Sequence, residues 1–78
     1  MPNLSASDKY ELEKLIDKAG PASVAYEIGA IAFEKSEHII ANYQDRSLTS
    51  YWNRIGTLFD NLSATIDTTN KRYGISRR

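Results

Sequence analysis

Glu34, Glu37 and His38 stand together in the stretch FEKSEHII, and His38 is the chain's one histidine. A carboxylate and an imidazole four residues apart share one face of an α-helix, an arrangement that helical metal sites use. Glu34 and His38 are therefore the candidate ligands. A second group lies at the other end of the sequence. KRYGISRR carries Lys71, Arg72, Arg77 and Arg78 without an acid, and Tyr73 sits among them. Clustered cations beside an aromatic ring can hold phosphates and stack a base, so these four are the candidate nucleic-acid contacts.

The metal pattern resembles two known motifs only in part. Ferritin-like bundles place a His three residues after a Glu, and here that spacing joins Glu34 to Glu37. The H-x-x-E-H pattern of inverted zinc proteases needs a His where Glu34 stands. With no cysteine and one histidine, a Cys/His zinc site within one chain is excluded, and a metal would have to be shared across a dimer. No cofactor is expected. Catalysis is not expected either: the serines and threonines lack a second base, and Gly20, Gly29, Gly56 and Gly74 are isolated and form no phosphate loop. Ala25 and Gly29 have the spacing found in helix-turn-helix motifs, but Lys35 and His38 fall where that motif needs buried apolar residues.

At 78 residues the chain makes one small domain, residues 1–78, of a size at which a single core is marginal. Disulfides are excluded by the absence of cysteine, so oligomerisation is the expected means of support, with a dimer favoured. Formal net charge is zero, but the body is acidic and the residues after position 70 are basic. No apolar run approaches the ~18–20 residues of a membrane span. The opening MPNLSASDKY has neither the basic nor the apolar region of a signal peptide, so a cytoplasmic protein without membrane attachment is expected.

These groups must be positioned by helices. Apolar spacing predicts an all-α protein: a short helix over about 8–19, then a long antiparallel hairpin of helices over about 21–44 and 48–73. Ser7 or Asp8 is the expected first cap, with Asp8–Glu11 at capping-box spacing. Gly20 stops the first helix, Pro21 opens the second, QDRS turns the chain, Ser47 caps the third helix and Gly74 ends it. Residues 1–6 and 75–78 are expected to be flexible arms.

The second helix carries a row of small residues at heptad spacing: Ala22, Ala25, Gly29, Ala32, Ser36, Ile39 and Tyr43. The third carries a bulky row: Trp52, Ile55, Phe59, Leu62, Ile66, Thr69 and Tyr73. Large against small is how packed layers interdigitate. The expected register sets Ile39 level with Ile55, Ser36 with Phe59, Ala32 with Leu62 and Gly29 with Ile66. Glu34 and His38 then face away from the hairpin. More apolar residues remain than the short helix can cover. Tyr26, Ile31, Phe33, Ile40, Tyr51 and Leu58 are the expected partner interface, in a dimeric helical bundle. The expected function is a small non-catalytic interaction or regulatory module with a protein partner. The alternative is an accessory nucleic-acid binder using the basic C-terminal segment.

Overall fold

The computed structural model describes residues 3–75, and it is helical in three segments: α1 (Ala6–Ala19), α2 (Pro21–Asn42) and α3 (Arg46–Arg72). The two long helices pack along each other as an antiparallel hairpin, and α1 lies on α2. Among the described residues α1 makes no contact with α3.

Each boundary has a local cause. Ser5 caps α1: its hydroxyl accepts from the Asp8 amide at 3.0 Å, and the Asp8 carboxylate accepts from the Ser5 amide. This capping box sets the cap two residues before the expected Ser7, or three before Asp8, and it shortens the expected arm over residues 1–6. Residues 1–2 and 76–78 lie outside the described range. Gly20 has φ 88°, a conformation open to glycine, and it is the one residue between α1 and α2. Pro21 follows as the first helical residue, where its missing amide hydrogen leaves no bond unmade.

The hairpin turn is Tyr43–Gln44–Asp45. Asp45, not Ser47, caps α3, its carboxylate accepting from the Leu48 amide at 3.0 Å. Gln44 supplies the turn with φ 52°, an uncommon conformation for a residue with a side chain. The α3 interior is rich in threonine, a modest helix former. Thr57, Thr65, Thr68 and Thr69 each donate a hydroxyl hydrogen to the carbonyl four residues earlier.

The α2 face is the one expected. Ala22, Ala25, Gly29, Ala32, Ser36 and Ile39 are its buried residues. Tyr43 departs from the row, at 71% exposed, because α2 has already ended. On α3 the facing is different. Its buried residues are Gly56 and Ser63, flanked by half-buried Thr49, Trp52, Phe59, Ile66 and Asn70. Those seven positions form a heptad row of their own, sharing Trp52, Phe59 and Ile66 with the expected row. Leu62, Thr69 and Tyr73 are exposed and Ile55 is half-buried. Small residues thus face small residues at the centre, and the bulky ones lie to the sides. That arrangement wins because it brings the backbones closest: a Cβ built on Gly29 would lie 3.1 Å from the Gly56 carbonyl oxygen.

The register is also shifted from expectation. Gly29 lies against Gly56 and Phe59 rather than Ile66, and the Phe33 ring covers Gly56. Ser63 donates its hydroxyl to the Ala22 carbonyl at 2.9 Å in a buried bond across the hairpin. α2 ends at Asn42 and α3 starts at Arg46, so the two helices lie level about Gln44; the earlier start of α3 accounts for two residues of the shift.

Candidate interaction surface

The structure places the candidate metal residues on the outer face of α2. Glu34 and His38 are both exposed on α2, away from the seam. The Asn42 side-chain amide donates to His38 Nδ1 at 3.1 Å and to the His38 carbonyl at 2.9 Å. An amide N–H can only donate, so the contact to Nδ1 is a hydrogen bond in the tautomer that leaves Nδ1 without a proton. The ring also meets Tyr43 edge-on, with centroids 6.0 Å apart. His38 thus sits in the last turn of α2, between Asn42 and Tyr43. Among the described residues no group of three or more His, Asp or Glu side chains could hold a metal ion.

Lys71 and Arg72 occupy the last turn of α3, where their charge suits the carbonyl end of the helix dipole. Arg77 and Arg78 lie outside the described residues. Tyr73 is fully outside the seam and exposed.

The expected partner residues divide between two sides of the hairpin. Tyr26, Phe33 and Ile40 follow each other at heptad spacing along one flank of α2. Phe33 is not a free contact residue: it is half-buried over Gly56, where a Cβ would meet its ring at 2.7 Å. Tyr26 and Ile40 remain exposed. Ile31 belongs to the opposite flank, the one on which α1 docks. There Leu12, Leu15 and Ala19 of α1 face Val24, Ile28 and Ile31 of α2 across an open, almost wholly apolar cleft of about 300 Å³.

Lys35 fixes which side of α3 adjoins that cleft. Lys35 lies one heptad after Ile28 on the same row of α2, and its ammonium sits 5.4 Å from the centre of the Trp52 ring. Trp52 begins the bulky row of α3, so Ile55, Phe59, Leu62 and Ile66 run back along the α1 side of the hairpin. α1 and this row flank Ile28 from two directions without touching each other. Tyr51 and Leu58 extend the row outward, and Tyr51 meets Trp52 edge-on with centroids 5.1 Å apart.

The result is one broad apolar face with a ridge and a groove. On the ridge Leu58 is 46% exposed and Leu62 45%; at the groove Leu15 is 53% exposed and Ile31 51%. Of the expected partner residues Ile31, Tyr51 and Leu58 fall on this face; Ile55 and Leu62, expected in the seam, lie on it too, as does Leu15. The available signal was the second heptad row of α3, through Gly56 and Ser63, which displaces the bulky row from the seam.

The helices also differ in net charge. α1 holds Asp8, Glu11, Glu13 and Asp17 against three lysines, and α2 holds Glu27, Glu34 and Glu37 against Lys35. α3 holds Arg46, Arg54, Lys71 and Arg72 against Asp60 and Asp67. Summed over each whole helix, α1 and α2 are net acidic and α3 is net basic. No helix among the described residues is long and apolar enough to cross a membrane. Comparison of the chain with protein-family models, curated proteins and solved structures gives no match.

Proposed function

We propose that the protein is a small non-catalytic interaction module that works by docking helical faces. One observation carries this reading. The buried apolar residues are three alanines and Ile39, while Leu15, Ile16, Leu58 and Leu62 are exposed and Trp52, Ile55, Phe59 and Ile66 only half-buried. A hairpin stabilised chiefly by small residues supplies little apolar burial of its own. Its exposed ridge and groove form the contiguous kind of apolar patch that marks interaction sites on monomers. No side-chain grouping on this face has the nucleophile, base and orienting partner of a catalytic site.

The test is quantitative recovery of the intact chain with whatever it binds in cells, comparing the parent chain with Leu62→Glu. The reading expects a stoichiometric partner, either another protein or the chain itself, that is lost with Leu62→Glu and kept with Glu34→Gln. A chain that is monomeric and recovered alone from every extract would overturn it.

A further inference from the structure

We infer that the ridge-and-groove face is closed by a second copy of the chain. In this isologous pairing the α3 ridge of each protomer seats in the α1–α2 groove of the other. The inference rests on the interaction-module reading and names its partner.

Surface area is the first argument. The chain exposes 6363 Å², whereas a compact monomer of 8.8 kDa is expected to expose about 4,800 Å². The terminal residues outside the described range account for part of this. Discounting those five residues at about 160 Å² each leaves an excess of roughly 760 Å². A stable protein–protein interface buries about 800 Å² on each partner. The Cα radius of gyration agrees: it is 14.7 Å, against about 11.5 Å for a compact chain of this length. The protomer therefore exposes more than a finished small domain, by about the area one dimer interface removes.

The chain cannot cover this face with its own α1. Gly20 alone joins α1 to α2, and it is followed at once by the rigid Pro21. That linker holds α1 against Val24, Ile28 and Ile31 and leaves no length to reach Leu62. α1 itself is under-supported, since none of its 14 residues is buried. An isolated helix of that length is marginal in water, so an added apolar surface across its open side would supply what α2 alone does not.

A second copy fits better than an unrelated partner because the face complements itself. An isologous two-fold interface requires one patch to carry both halves of the contact. Here the ridge and the groove lie side by side on one face. A face that presented only a ridge would lack this property.

Sedimentation equilibrium on the full chain, at about 1–100 µM protomer so that mass action is visible, tests the inference. The parent chain should approach twice the 8.8 kDa protomer mass. Leu62→Glu on the ridge and Ile31→Glu in the groove should each raise the dissociation constant by at least about tenfold. Ile40→Glu, on the other flank of α2, should leave it unchanged. Because a glutamate variant can fail to fold, a milder probe accompanies it. The chain has no cysteine, so the thiol of Leu62→Cys can be modified selectively. Its modification should slow as protein concentration rises, while that of Ile40→Cys should not. A dimer weakened by Ile40→Glu and not by the other two would overturn the inference. So would a monomer at the highest concentration. If that monomer still recovers a stoichiometric protein partner through Leu62, the interaction-module reading survives; if it recovers none, both fail.

Discussion

Gly56 offers the most discriminating test of the hairpin. An alanine there gains about 1 kcal/mol of helix propensity over glycine. In the folded chain, however, its Cβ would lie 2.7–2.9 Å from three atoms of the Phe33 ring. Real carbons do not approach so closely, so the ring must swing outward and lose its place over the seam. Overpacking of this kind costs about 1–3 kcal/mol. Gly56→Ala alone should therefore be destabilising, or at best neutral. In a Phe33→Ala background the obstacle is gone, and the same substitution should stabilise by about 1 kcal/mol. The sign of the effect reverses, with a coupling of about 1–3 kcal/mol across the double-mutant cycle. Urea unfolding of the four proteins at one protomer concentration, followed by far-UV circular dichroism, measures it. A Gly56→Ala effect that is the same in both backgrounds would refute the placement of Phe33 over Gly56, and with it the register.

Three further outcomes follow from named contacts. Ala32 is 1% exposed, so Ala32→Leu should cost about 1–3 kcal/mol or change the association state, while Glu34→Leu should be well tolerated; denaturation and sedimentation together decide. Ser63→Ala removes the buried bond to the Ala22 carbonyl and should lower stability by about 1 kcal/mol, with native helix content by circular dichroism. Gln44→Gly should raise the urea midpoint, since it relieves a positive φ worth about 1 kcal/mol; an unchanged or lower midpoint would contradict the turn geometry.

The stretch FEKSEHII separates in the structure as its periodicity predicts. Ser36 and Ile39 lie in the seam, and Glu34 and His38 face outward. The sequence pattern placed these residues by angle around one helix, a property of the helix itself. It did not anticipate that Asn42 would bond His38, since that contact depends on how α2 ends. Nor did it place Phe33, which spacing grouped with exposed Tyr26 and Ile40. Phe33 is drawn inward because the absent side chain of Gly56 leaves space for its ring.

The number of helices, the Gly20–Pro21 joint and the small-residue face of α2 were determined by the sequence alone. Each follows from local physics: caps, the conformations open to glycine and proline, and a 3.6-residue period. The facing of α3 was decided only in the tertiary structure. Two heptad rows run along that helix and share Trp52, Phe59 and Ile66. One continues through Ile55 and Leu62, the other through Gly56 and Ser63. Periodicity cannot choose between them, because both are regular. The choice falls to the packing of two helices, where Gly56 and Ser63 permit the closer approach. That choice turns Leu62 out of the core and creates the face on which the proposed function rests.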